Sequence, residues 1–393
     1  MPGPFLTRDF ELAAQIEATF ATSPGALAGA DFFKSKTKFP FKRNVARYDR
    51  DNARDNDQAS VITTQKGRES ASWAIEGDII PAGAATPTKP DMDLFFEAHL
   101  GTQRLATAHT TTTTGSTTTV VQLTAGGVAA AGLAAGDMVA VDVDATFGLE
   151  VRQIVSIATD AITVDRALSA APATGRNVKT GWTVRLSEAQ QKSLHLWGYL
   201  NGDNFRHRVG GAIARMMALD IDFSGEAPVG GVKFSGDGEK IATHTTSRPT
   251  PVTVGQPLLP SVGKCWIGTA LTNIVKASLN SDNGLELRAN ESGSLFPTGV
   301  KRTGNKGRYN ISQTLEVLLT TGAIEGYYDN AASLTAYDVL TQLGATAGQI
   351  VAWRTPKFIP SVDISEVGDE ASVNASGRCY GTSGDDELSI FFG

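Results

Sequence analysis

Between Ser60 and Ile80 apolar and polar residues alternate. Trp73 and Ile75 fall on one face, and Ala74, Glu76 and Asp78 on the other, which is the period of a half-buried strand. The same period predicts strands over Lys192–Leu200, Met216–Ser224, Lys276–Arg288, Arg308–Thr320 and Gln349–Ile359, with further strands up to Phe392. Helical spacing is expected in three places. Residues 7–20 place Phe10, Ala13, Ile16 and Phe20 near one stripe, with Thr7 as cap. Asp91 caps a short run that stops at Gly101, and Ser333–Leu343 stops at Gly344 in the same way.

Parts of this pattern occur twice. Ala74-Ile-Glu-Gly-Asp-Ile-Ile80, a turn and Asp91–Gly101 are matched by Thr314-Leu-Glu-Val-Leu-Leu-Thr320 and Leu334–Gly344. Leu219-Asp-Ile-Asp-Phe-Ser-Gly-Glu-Ala227 is echoed by Val362-Asp-Ile-Ser-Glu-Val-Gly-Asp-Glu-Ala371. A repeated strand–turn–helix–strand unit without a catalytic signature points to something built to tile.

Between the two parts of the first copy the texture changes. A Thr/Ser run, Thr110 to Thr119, precedes short alternating segments at Thr119–Leu123, Met138–Val143, Glu150–Ile157 and Ala161–Val164. They read as a small β-barrel or sandwich. After Gly344 only Ala-Thr-Ala-Gly precedes the next strand, so the block reads as a domain inserted at a loop tip. The expected organisation is an N-terminal arm with a short helix (1–41), a first unit (42–101 and 182–239) and an inserted outer β domain (102–181). A proline-bearing bridge (240–275) and a second unit (276–393) follow. The fold class is mainly β: two β-sandwich or half-barrel units, each with a short flanking helix, plus the insert.

Composition narrows the function. The 393 residues are 41% apolar and 19% charged, with 41 glycines, enough for real cores joined by turns. A net charge of −6 without a basic stripe argues against a general nucleic-acid-binding surface. No signal peptide or bilayer-spanning apolar run is expected. Cys265 and Cys379 read as two free thiols in a reducing compartment, and the triplets at Asn290, Asn310 and Asn374 as chance matches.

Candidate chemistry is sparse. Neither a Gly-x-Ser-x-Gly nor a His-Glu-x-x-His motif occurs, and the five histidines lack ligand spacing, so no cofactor, metal or catalytic residue is expected. The carboxylates on polar strand faces remain: Glu76, Asp78, Asp220, Asp222, Glu316 and Asp363. They are either ordinary solvated faces or two acidic faces turned toward one space. Two loops before equivalent strands, Arg43–Gln58 and Ala289–Gly307, read as hairpins in water or as docking arms. Their contact candidates are Arg50, Arg54, Asp57, Leu295, Phe296, Pro297, Lys301 and Arg302, with Leu295, Phe296 and Pro297 an apolar tip that is costly to expose.

Ser72-Trp-Ala-Ile-Glu-Gly-Asp-Ile-Ile-Pro81 followed by Pro90–Gly101 resembles the major tail tube proteins of long-tailed, non-contractile bacteriophages. Gly225–Gly231 and Phe234-Ser-Gly236 fit the same pattern. The resemblance covers 42–101 and 182–238, and 276–393 more loosely. It implies stacked rings around a DNA-conducting channel, with sheets joined between subunits and loops bridging rings. Two units per chain imply a pseudo-sixfold trimer. If the second half, with Pro356 inside a strand, is not a tube unit, the ring is a hexamer. Implied partners are further copies, other tail proteins at the tube ends and passing DNA, with no membrane insertion. The implied location is the virion tail, after synthesis in the host bacterial cytoplasm. The six carboxylates are then the candidates for the channel wall. An adhesin or tail-tip receptor-binding protein, and a glycan hydrolase, are the competing readings.

Overall fold

Alternation and β-branched residues build this chain almost entirely from strands. The computed structural model describes residues 10–50, 63–81, 86–187, 192–223, 230–252, 255, 263–289, 292–302, 309–318, 329–367, 370–382 and 384–393. The first half opens with β1 (Phe10–Ile16), β2 (Phe32–Phe33), β3 (Phe41–Arg50), β4 (Thr63–Asp78) and helix α1 (Asp93–Leu100). β5 (Gly101–Leu105) leads into the insert. This holds β6 (Thr110–Thr111), β7 (Val120–Gln122), α2 (Gly127–Ala131), β8 (Met138–Asp142), β9 (Leu149–Ala158), β10 (Ala161–Val164) and β11 (Asn177–Thr180). β12 (Trp182–Leu186) leads out, and β13 (Leu194–Leu200), β14 (Phe205–Asp222), β15 (Gly231–Gly238) and β16 (Lys240–Thr243) complete the first half. The second half begins with β17 (Gly263–Ile267), β18 (Ala270–Thr272), β19 (Ile274–Asp282), β20 (Leu285–Arg288), β21 (Gly299–Arg302) and β22 (Asn310–Leu318). It ends with β23 (Tyr337–Leu343), β24 (Val351–Val367), β25 (Glu370–Tyr380) and β26 (Ser389–Phe392).

One antiparallel sheet runs through both halves in the order β3-β4-β15-β14-β19-β22-β25-β24. Each half supplies four strands, and each places its last strand in chain order between its second and third. β14 and β24 are long enough to serve two layers. Their first parts turn into an outer sheet, where β14 pairs with β13 and β16, and β24 with β23 and β26. The turns use bulges, at Ala214/Met216 in β14 and opposite Tyr337/Val339 in β24, because an extra residue bends a strand. Pro356 sits in that second bulge, where its missing N–H costs no ladder bond.

Between the layers lies one continuous core. Trp73, Phe95, Phe96 and Phe234 fill it in the first half, and Ile311, Leu315, Trp353 and Phe358 in the second. α1 wedges between the halves: Phe95 stacks on Phe234, while Phe96 meets Phe392 of the second half edge-on. Gly101 ends the helix with φ +102, as its sequence position predicts.

Several expectations are corrected. Within residues 7–20, β1 stands where a helix was expected. Leu12 and Ala14 face the main core and Ala13 an outer cluster, so both faces are apolar and the run loses its strand period. Ser333–Leu343 fails for the same reason. Tyr337–Leu343 is β23, with Val339 and Leu343 in the main core and Leu340 in another, and among the described residues only 329–332 are helical there. In the connection before β23 the second unit keeps only this short turn of helix, at 329–332, with Ala331 packed against the main core. Asp91 is not a cap: Met92 holds that position, and the Asp91 carboxylate accepts from the Lys34 N–H at 3.0 Å. The 240–275 bridge also carries β16, β17 and β18, its prolines lying between them.

The insert folds as its own sheet, β6-β11-β8-β9-β10-β7, with a bridge from Thr112 to Leu123 joining its ends around a separate core. Its place differs from the expectation. β23 corresponds to β13, not to α1, so the insert occupies the connection equivalent to 319–336 rather than the short link after Gly344.

Candidate functional site

Cross-strand partners share a face, so register decides which side chains meet. Asp78 lies opposite Gly231, Gly231 opposite Asp220, and Asp220 opposite Ser278. In the next row Asp222 lies opposite Lys276, Lys276 opposite Glu316, Glu316 opposite Asn374, and Asn374 opposite Asp363. Glu76 lies opposite Lys233. All six carboxylates singled out from sequence therefore occupy one face of the long sheet, the face turned away from the core.

That face is not uniformly acidic. Lys233 approaches Glu76 at 3.5 Å and Lys276 approaches Asp222 at 3.4 Å, while Lys36 pairs with Asp78. Arg378 shares the row of Ser312, and Arg215 pairs with Asp282 at 3.3 Å. The remainder is small and polar: Ser278, Asn280, Thr314 and Ser376. The alternation that selected the carboxylates also placed Lys233, Lys276 and Arg378, and reading one charge sign missed them.

The sheet ends in two edges. Among the described residues β3 pairs only with β4, and β24 beyond Pro360 pairs only with β25. Both edges carry an exposed apolar side chain. Ile364, on the core-facing side of β24, is 59% exposed, and Phe39, just before β3, is 46% exposed. Where the two halves meet inside the chain, Leu219 and Ile221 are fully covered by the β14–β19 joint.

A buried polar cluster pins that internal joint. His99 Nδ1–H donates to the Ala214 carbonyl at 2.8 Å, and Ser281 Oγ–H donates to His99 Nε2 at 2.9 Å. Asn283 Nδ2 donates to the same Ala214 carbonyl, and the Tyr309 hydroxyl to the His99 carbonyl. Burial pushes the His99 pKa down to about 4, so the ring is neutral and keeps both roles.

The hairpin β20–β21 carries the expected docking tip, but it folds back on its own chain. The Glu69 N–H donates to the Leu295 carbonyl at 2.9 Å. The Phe296 ring lies between Lys240 Nζ at 4.2 Å and Lys66 Nζ at 5.7 Å, and Pro297 is buried. Only Leu295 remains half exposed. Two flanking lysines cover Phe296 by cation–π contact, which a hydropathy reading of the tip does not register. Lys301 faces Glu286 at 3.9 Å and Arg302 lies over the Tyr309 ring. Arg50 ends β3, and Arg54 and Asp57 lie outside the described residues.

Among the described residues no group of three or more His, Cys, Asp or Glu side chains could hold a metal ion. Both cysteines are free and buried, and burial pushes both thiols up to about 12. No helix is long and apolar enough to cross a membrane among the described residues. In comparisons with known proteins, no family model matches the chain and no curated protein shows significant similarity to it.

Proposed function

We propose that this chain is a non-enzymatic structural subunit of a phage tail tube, three copies closing a ring whose stacked repeats enclose a DNA channel in the virion tail. The observation that carries this reading is the repeated strand order. Two four-strand units are already joined edge to edge within one chain by β14 and β19, and the ends of the sheet offer the same two kinds of edge again. A head-to-tail contact between unlike edges closes into a ring when the rotation allows. Pairing β24 of one copy with β3 of the next also removes two open edges and covers Ile364.

The internal joint supplies a register. Ser312 lies opposite Asn280 as Ser72 lies opposite Lys42, and Asn280 in turn lies opposite Ala218. Following the ladders from Glu76 and Glu316, Lys233 corresponds to Asn374 and Ala218 to Asp363. Asp363 of one copy therefore lies opposite Lys42 of the next, an opposite-charge pair. The mixed polar face lines the channel. Its carboxylates oppose phosphate, and Lys36, Lys233 and Lys276 are held by carboxylates rather than gathered into a binding track.

Native mass spectrometry of assembled rings and negative-stain imaging test the assembly. Trimeric rings that stack are expected. Hexameric rings would remove the two-unit argument, and a chain that stays monomeric at high concentration would overturn the tube reading. For the register, the pair Asp363→Cys and Lys42→Cys should crosslink neighbouring copies on oxidation. Rings that form without the crosslink would place the joint elsewhere.

A further inference from the structure

We infer that the inserted β domain is an intramolecular clamp that the second half requires, and through which the first half holds the second in place. The inference does not depend on the tube reading. The insert is rooted in the first half at α1, yet it docks on the second. Its two legs, β5 and β12, pair with each other, and β12 pairs with β26, so the second half's outer sheet continues into the legs.

The body of the insert then closes over that sheet. Met138, Ala140 and Val151 bury a shared core with Trp266, Leu340 and Phe391 of the second half. Polar groups are matched across this core. The Val151 N–H donates to Gln342 Oε1 at 2.8 Å, and Gln342 Nε2 donates to the Leu149 carbonyl at 2.9 Å. Beside it, Arg166 donates to Asp338 at 2.6 Å and to the Gly268 carbonyl at 3.0 Å, while Arg354 reaches back to Asp165 at 3.1 Å. These two crossed ion pairs are made of one acid and one base from each side. The Arg152 guanidinium sits 4.5 Å over the Trp266 ring.

A decoration tethered at a loop tip would present a solvated surface to its host. This surface instead has an apolar centre crossed by hydrogen bonds and ion pairs, the anatomy of a domain core. The domain supplies the cover without which Trp266, Leu340 and Phe391 face water.

Amide hydrogen exchange on the full chain tests this. Leu105 and Trp182 are register partners, so an Asn-Gly turn can replace residues 106–181 while keeping both legs. In that variant, protection in β17, β23 and β26 should fall by about a hundredfold relative to β1, β3 and β4. Unchanged protection in the second half would overturn the inference. The full-length double variant Arg166→Ala, Gln342→Ala decides independently of the deletion. Protection should drop together in β9 of the insert and in β23 by at least about tenfold. A drop confined to β23 would show two units that merely touch.

Discussion

The outer sheets of the two halves contain equivalent strands but are covered in different ways. In the first half Ala13 lies opposite Trp197, and the cluster is closed by Phe32 and the partly buried Leu27 from a short local segment. Tyr199 donates to the Thr246 carbonyl and Arg248 pairs with Glu11, so the chain after β16 completes the cover. In the second half Trp266 lies opposite Leu340, and a folded domain with its own core does the covering. The large ring has changed strands: it stands on the inner strand of the pair in one half and on β17, the outer one, in the other. A side chain on the outer strand of the pair has a strand beside it on the core side and only the short β18 on the other, so its cover comes from another part of the chain. The comparison teaches that two halves of one architecture can satisfy the same exposed face by different means.

Removing each tryptophan is the largest test. Trp266→Ala should cost about 3–5 kcal/mol, because it leaves a cavity under the insert and strips Arg152 of its ring. Trp197→Ala should cost less, since a short local segment can collapse into the space. Urea denaturation of both variants checks this, and an equal or larger loss at Trp197 would break the contrast.

Acid should act mainly on the first half and on its joint with the second, since His99, His195, His207 and His244 lie in the first half and His99 bonds Ser281 across the joint. Burial lowers His99 and His207 to about 4, from 6.5 in the free residue. The unfolded chain therefore binds more protons between these values. The histidine contribution is complete above pH 6.5 and is lost as the pH falls to 4, roughly 2–3 kcal/mol for each ring. Asp91 works in the opposite sense: burial raises it from 3.8 to about 6, so its contribution is present at low pH and is lost as the pH rises through 6. The lowered histidines, with His244 also brought down to about 4, outweigh Asp91, so stability should fall on acidification from 6.5 to 4. Hydrogen exchange should find it in β13 and β14 while β23 and β24 hold, and equal acid sensitivity in both halves would refute it.

The ion pairs sharpen the contrast further. Arg166→Ala leaves the buried Asp165 and the partly buried Asp338 short of a partner and should cost about 3 kcal/mol. Glu11→Gln in the first half removes a more exposed pair and should change stability by about 0–1 kcal/mol. Thermal melts of the two variants measure the difference. Similar shifts would mean that the two covers are held alike.

Legibility followed the number of covered faces. β4, β19, β22 and the second part of β14 have one face in the core and one polar, so a period of two places Glu76, Asp220 and Glu316 on one side before any coordinate is known. β1 and β23 are covered on both sides, and their continuous apolar runs carry no period that separates strand from helix. The same ambiguity matched α1 with β23, since both runs end in Leu-Gly with the glycine at positive φ. The second echo is displaced as well. In register terms Leu219 corresponds to Ile364 rather than Val362, a two-residue offset.

By itself, then, the sequence determined the strands that separate water from core, the polar character of the long face and the presence of a separate β block between Gly101 and Trp182, because these depend on neighbours along the chain. Tertiary structure alone decided where the insert docks, what covers Trp266 and which lysines sit beside the carboxylates and Phe296. Each of those depends on residues brought from distant parts of the chain, as Val151 is to Gln342 and Lys240 to Phe296, and no local period records such a meeting.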